Sequence, residues 1–125
     1  MQDAHKGKFM SRKRLIKLYQ EMYELTEPEC ASVCRLPHSC CSPEYCEMAL
    51  ERAEEWGEKL ERTDHPRLPL MGKTGCIAPP HLRPLCTVHT CAINAFGAKP
   101  GDVAWTKRYA KLRNQINKLE YDLAR

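Results

Sequence analysis

Residues 34–47, CRLPHSCCSPEYCE, place four cysteines within fourteen positions, and two of them are adjacent. Ser42 and Pro43 follow the adjacent pair, and a serine before a proline is typical of a helix start, because proline has no amide hydrogen to leave unpaired in the first turn. Thiols this crowded cross-link the chain, bind a metal or react with one another. The stretch therefore predicts a helix that begins beside a cysteine cluster, and the rest of the sequence must decide between the three uses.

The cysteine content of the whole chain narrows those uses. Eight cysteines in 125 residues would suit four disulfides in an exported protein. Residues 1–14, MQDAHKGKFMSRKR, are polar and basic and resemble no secretory signal, and no apolar run approaches the ~20 residues that cross a bilayer. We expect a cytoplasmic protein without membrane association, where this density of thiols favours metal ligation. A disulfide-stabilised domain and redox-active thiols remain alternatives.

Hydrophobic spacing predicts three helices in one domain, at residues 11–25, 42–62 and 102–125. In the first, apolar residues recur mostly at three-residue steps, and Thr26-Glu27-Pro28 is expected to end it. In the third, the apolar steps of 4, 3, 4, 3 and 4 form a continuous seam made of Trp105, Tyr109, Leu112, Ile116, Leu119 and Leu123. We expect the first and third helices to pack as an antiparallel pair; pairing between two subunits, giving a dimer, is the alternative.

Two irregular loops are predicted between these helices. Residues 26–41 contain four of the cysteines, and residues 63–101 contain three more together with six of the nine prolines. A segment so rich in proline forms little regular structure and needs another source of order. The predicted fold class is therefore mostly α: a small single domain, residues 1–125, of about three helices with two Cys/Pro-rich loops organised around a metal centre.

The cysteine spacings favour an iron–sulfur cluster over zinc. Four-cysteine zinc sites are usually built from two C-x2-C turns, and the chain has none. A cluster is wider than one ion, so its ligands can come from irregular spacings, such as the four-residue interval that separates Cys41 from Cys46 and Cys86 from Cys91. The positive end of the second helix would also favour thiolates and an anionic cluster. A 4Fe–4S cluster is the expected cofactor, with structural zinc as the alternative.

The two cysteine-rich segments resemble a known family. Cys30, Cys34 and Cys40-Cys41, followed by TGCIAPPHLRPLC at residues 74–86, are similar to the front and rear cysteine groups of the YkgJ-like family, which is associated with zinc or iron chelation. The interval from Cys76 to Cys86 matches the family's rear group, while the front spacings are longer. The resemblance covers roughly residues 30–91 and implies a metal site without implying a substrate.

The candidate metal ligands follow from spreading a site over both segments and from the match at Arg83-Pro84. In decreasing order they are Cys34, Cys41, Cys76 and Cys86, then Cys46 and Cys91, and last Cys30 and Cys40. A histidine among the cysteines, His38, His81 or His89, could replace one thiolate. Arg83 could neutralise thiolate charge or donate a hydrogen bond to a cluster sulfur; a surface position is its alternative role.

The charge distribution and the motif content of the sequence restrict the possible classes of function. Residues 1–25 and 101–125 each carry six Lys/Arg against three acids, whereas the middle is slightly acidic. Basic terminal helices allow nucleic acid as a partner, although such residues are more often solvated charge. No catalytic motif is recognisable. We therefore expect a binding or interaction protein with a protein partner, and not an enzyme; an electron-transfer or redox-sensing protein is the second expectation.

Overall fold

The computed structural model of the protein describes residues 2–33, 43–72, 76–88 and 99–124, and within the first helix it describes the side chains of residues 10–28. Helices make up most of these residues and fold into one small domain, as predicted. The α-helices are α1 (Gln2–Val33), α2 (Pro43–Glu55), α3 (Pro84–Val88) and α4 (Val103–Ala124), and a 3-10 helix (Pro80–Leu82) precedes α3. Among the described residues, β pairing is limited to an isolated antiparallel bridge between Met71 and Cys76.

The core of the domain lies between α1 and α4. The helix-pair cluster consists of eight buried residues, four from each helix: Leu15, Leu18, Tyr19, Met22, Trp105, Tyr109, Leu112 and Ile116. The two helices are antiparallel, because the Tyr19 hydroxyl donates to Glu120 near the end of α4, while the Trp105 indole near its start donates to the Leu25 carbonyl. The predicted antiparallel pair and the core role of the apolar seam are therefore confirmed.

The first helix is longer than predicted at both ends. It runs from Gln2 through Pro28 to Val33, so the predicted end at residues 26–28 is wrong, and Cys30 lies on α1 and not in a loop. A proline inside a helix removes one backbone hydrogen bond. Contacts to other elements hold the chain here: the Thr26 hydroxyl donates to the Thr87 carbonyl at 2.8 Å, and the neighbouring Leu25 carbonyl accepts from Trp105.

The second helix begins at Pro43, as predicted, but ends at Glu55 and not at residue 62. The cause is Gly57, whose φ of 69° lies in the left-handed region that favours glycine. Its amide donates to the Glu54 carbonyl, and the Glu58 amide donates to the Ala53 carbonyl at 2.8 Å. These two bonds form a Schellman motif, which satisfies the last carbonyls of a helix and turns the chain away from it.

Prolines start two short helices in the segment predicted as an irregular loop over residues 63–101. The 3-10 helix begins at Pro80 and α3 begins at Pro84, where the missing amide hydrogen has no cost. The last helix begins at Val103 and ends at Ala124, within one residue of the prediction at each end. Asp102 caps it, because its carboxylate accepts from the Trp105 amide at 3.0 Å.

A second and smaller core lies beside α2. The cysteine-side cluster consists of Ala49, Leu70 and Ala78, and four half-buried side chains pack against it: Cys46, Leu50, Leu60 and Cys76. The segment between α2 and this cluster is folded by local hydrogen bonds, such as those from Thr63 to the carbonyls of Pro69 and Met71. Across the described ranges, we find no helix with the length and apolar character needed to span a bilayer.

Candidate metal centre

Three of the eight predicted ligands have described side chains: Cys46, Cys76 and Cys86. The others are Cys34, Cys40, Cys41 and Cys91, which lie outside the described residues, and Cys30, whose backbone belongs to α1 but whose side chain is outside them. The structure therefore describes one candidate ligand from the first turn of α2 and two from residues 76–91.

The side chains of Cys46 and Cys76 pack on the same cluster, although thirty positions separate them in the sequence. Cys46 is the fourth residue of α2, and its side chain faces the cysteine-side cluster. Cys76 reaches that cluster through the backbone: it pairs with Met71, and the next amide, that of Ile77, donates to the Leu70 carbonyl at 2.9 Å. Both thiols are half-buried, and no disulfide joins them. The structure thus brings a cysteine of the stretch at residues 30–46 and a cysteine of the stretch at residues 76–91 onto one cluster.

Cys86 is not among the residues that pack on that cluster. It lines a groove of about 200 Å³ between α2 and the segment formed by the 3-10 helix and α3, together with Tyr45, Met48 and Arg83. Ala49 belongs both to the groove and to the cysteine-side cluster. The three described thiols are therefore distributed around the first two turns of α2. Within the described ranges, no three Cys, His, Asp or Glu side chains converge closely enough to hold a metal ion.

The first turn of α2 provides a favourable environment for anionic ligands. The first four amides of a helix have no acceptor within the helix, and the helix dipole places partial positive charge there. Cys46 lies in this turn, and Ser42, the residue before Pro43, adjoins Cys41 in the sequence. A thiolate or an anionic cluster near this end of α2 would be stabilised by both effects.

His81 already has polar partners within the protein. Its ring is buried against Trp56, and its Nε2 lies 2.7 Å and 3.0 Å from the two carboxylate oxygens of Glu58. Its carbonyl accepts from Nε of Arg52 at 2.6 Å. Nε2 is thus hydrogen-bonded to a carboxylate, so this ring nitrogen could take the place of a thiolate ligand, as predicted for His81, only if that hydrogen bond broke. The other two candidates, His38 and His89, lie outside the described residues.

Arg83 also has defined contacts. Its Nε donates to the Ala78 carbonyl at 2.7 Å, and its guanidinium carbon lies 5.1 Å from the centroid of the Tyr23 ring. The first contact holds the chain next to the cysteine-side cluster, and the second is a cation–π contact to α1. Arg83 therefore ties the Cys76 segment to the helix pair, and it is not simply a solvated surface residue.

A network of polar residues, which the sequence patterns did not indicate, joins the elements around this site. Arg52 of α2 binds the carboxylate of Glu120 on α4, with 2.6 Å between Nη2 and Oε1, and the Tyr19 hydroxyl donates to that same oxygen at 2.6 Å. Burial, together with the hydrogen bond to Glu120, raises the pKa of Tyr19 above its ordinary value. The network continues through the His81 carbonyl to Glu58. Gly57 could have indicated part of this network. A glycine at this position predicts a helix end, and Glu58 then lies outside α2 and no longer belongs to its exposed face.

Comparison of the chain with protein-family models, with curated proteins and with solved structures finds no match. The resemblance to the YkgJ-like family therefore stays a prediction. The fold and the described side chains define a small helical protein in which Cys46 and Cys76 pack on one apolar cluster beside α2.

Proposed function

We propose that the chain is a metal-binding protein whose cysteines ligate an iron–sulfur cluster, of the 4Fe–4S type, and that it acts as a structural or interaction module. The observation that carries this proposal is the convergence of Cys46 and Cys76 on one three-residue cluster beside the start of α2. One thiol comes from residues 30–46 and the other from residues 76–91, as a site shared between these two stretches requires. An iron–sulfur cluster would link these segments. It would also serve as a redox centre if an electron donor or acceptor can approach it.

The size of the cysteine-side cluster supports a metal as a source of order. Burying a leucine side chain contributes about 2 kcal/mol, and an alanine contributes less. The cluster buries one leucine and two alanines, Leu70, Ala49 and Ala78, and Leu68 and Met71 of the neighbouring segment are buried as well. Fixing the backbone of each residue costs roughly 1–2 kcal/mol, so shared ligation by thiolates would add stability where burial is small.

The first two ligands proposed are Cys76 and Cys46, and the others come from Cys34, Cys41 and Cys86. Cys76 has the strongest support, because it ranks high from the sequence and its side chain packs on the same cluster as that of Cys46. Half-burial of both thiols favours a covered, structural centre over an exposed redox centre. An all-cysteine site is favoured over one containing His81, since Glu58 occupies Nε2 of that ring.

The test is elemental analysis and visible absorption of protein purified without oxygen. Iron and acid-labile sulfide in equal amounts, with a broad visible band, are expected for the wild type. Cys76→Ser and Cys46→Ser should each lose most of the iron. The matched control is Ala78→Ser, which places the same hydroxyl group in the same cluster but removes no thiol, and which should retain the iron.

Other results would identify zinc, a redox cluster or disulfides instead, or would contradict the proposal. Colourless protein with stoichiometric zinc would indicate the structural zinc site. A cluster that bleaches and recovers with reductant and oxidant would assign the redox role, and a mass increase on reduction, by two hydrogens per bridge, would reveal disulfides. Protein that contains neither iron nor zinc, and that stays equally compact after chelation, would contradict metal binding.

A further inference from the structure

A cleft with strong positive charge lies between α1 and α4, on the helix pair, and none of the three described cysteines lines it. Four cations line it, Arg14 and Lys17 from α1 and Arg108 and Lys111 from α4, and its volume is about 200 Å³. Glu21 is the single acid in its lining, and the buried Leu18 forms part of its floor. The local charge is therefore +3, in a protein whose formal net charge is +4.

The helix pair itself places these cations opposite each other. Residues three apart lie on the same helix face, so each pair forms a short row about 4.5 Å long. Each row adjoins residues of the helix-pair cluster, such as Leu18 on α1 and Leu112 on α4. Packed helix axes lie about 8–10 Å apart, so the two rows form the two walls of one cleft. Core packing thus brings together like charges that would otherwise separate.

Among the described residues, the four cations have no charged partner. Elsewhere in the described residues arginines do find carboxylates, as Arg52 does with Glu120 and Arg62 with Glu47. Within the described ranges, none of the four cleft cations makes an ion pair or a side-chain hydrogen bond, and all four side chains are exposed. Juxtaposed like charges repel one another, and an anion bound between the two walls would remove that repulsion.

We infer that this cleft binds the phosphate backbone of duplex nucleic acid. A polyphosphate chain presents successive charges that two cationic walls can contact together, and Lys and Arg are the usual partners of phosphate oxygens. The described lining contains no aromatic side chain on which an unpaired base could stack. It also lacks the exposed apolar centre of a typical protein–protein interface. Binding is therefore to the backbone and independent of base sequence.

Salt dependence measures the number of phosphate contacts. Four contacts predict a slope of about −3.6 for the logarithm of the association constant against the logarithm of salt concentration. The measurement is fluorescence anisotropy of a labelled 20-base-pair duplex of random sequence, titrated with the full chain at several salt concentrations. The double variant Lys17→Gln/Arg108→Gln should bind at least tenfold more weakly near 0.1 M salt, with a slope near −1.8.

A matched control and a gain of binding make the test specific. Lys59→Gln/Arg67→Gln removes the same charge from the exposed segment after α2, where neither residue lines the cleft, and it should leave the slope unchanged. Glu21→Gln removes the single acid of the cleft and should strengthen binding several-fold, a result that loss of folding cannot produce.

Three results would overturn the inference. The first is no duplex binding at low salt, and the second is an equal loss of affinity in the cleft variant and in the control. The third is binding to vesicles of phosphatidylserine and phosphatidylcholine without binding to the duplex, which would assign the cleft to anionic membranes. Unchanged circular dichroism of the variants ensures that the comparison is between folded proteins.

Discussion

Replacing Arg52 by methionine tests whether the polar network holds α2 against the rest of the domain. The guanidinium donates from Nε to the His81 carbonyl at 2.6 Å and from Nη2 to Glu120 at 2.6 Å, and it lies 4.8 Å above the centroid of the Trp56 ring. The Arg52 side chain is 17% exposed, so these contacts are made largely out of water. Methionine keeps the apolar stem that packs on Trp56 and removes every donor.

The expected loss is about 3 kcal/mol in the free energy of unfolding. A hydrogen bond from a charged donor contributes roughly 1.5–3 kcal/mol, and we assign about 2 kcal/mol to the bond with the His81 carbonyl. The ion pair with Glu120 is partly exposed, since the Glu120 side chain is 31% accessible, and contributes about 1 kcal/mol. For a domain of this size the total corresponds to a fall in melting temperature on the order of 10 °C.

The assay is urea unfolding of as-purified protein at pH 7, followed by circular dichroism. Arg62→Met is the matched control, because Arg62 also binds a glutamate through both terminal nitrogens, but with its side chain and that of Glu47 about half exposed. Solvent screens such a pair, so the loss in this control should be much smaller. An equal loss in the two variants, or a loss below about 1 kcal/mol for Arg52→Met, would refute the role given to burial.

Three further changes test single structural features. Tyr19→Phe removes a hydroxyl that keeps its proton in the folded state above pH 10, where an unfolded tyrosine ionises. The stability advantage of the wild type over this variant should therefore be full below pH 10 and shrink above it, by up to about 1.4 kcal/mol per pH unit in urea titrations. Gly57→Ala should cost about 1 kcal/mol, since a side chain is strained at this positive φ although the space around it is open. Asp102→Ala should cost about 1 kcal/mol by removing the cap of α4, and urea unfolding at pH 7 measures both losses.

Local sequence signals predict the elements that depend on local physics. The apolar seam of α4 extends over six turns, and no competing signal interrupts it, so its position and its buried face follow from periodicity alone. The start of α2 follows from Pro43 for the same reason. The end of α2 was also readable from Gly57, because a glycine after a helical stretch is a common stop signal.

The structural features that local sequence patterns do not predict depend on contacts between distant parts of the chain. Pro28 and its neighbours predict a helix end, but the bond from Thr26 to Thr87 spans 61 positions and holds the helix past it. The partner of His81 is 23 positions away, in a stretch that looks like a helix face. At the candidate site the sequence predicts cysteine as the ligand type. The packing of Cys46 and Cys76 on one cluster depends on the bridge between Met71 and Cys76, which no local sequence pattern predicts.

The two proposed activities, metal binding and duplex binding, are associated with different hydrophobic clusters of the domain. The helix-pair cluster contains only residues of α1 and α4, which also carry the basic cleft, whereas the thiols pack on the other cluster. α2 connects them: Ala49 belongs to the cysteine-side cluster, and Trp56, just past the end of the helix, packs on the helix pair. Loss of a metal would thus remove order first from the side of the smaller cluster, on which the thiols pack. Duplex binding by the cleft is expected to survive it, because eight buried residues hold the two cationic rows together without help from the thiols.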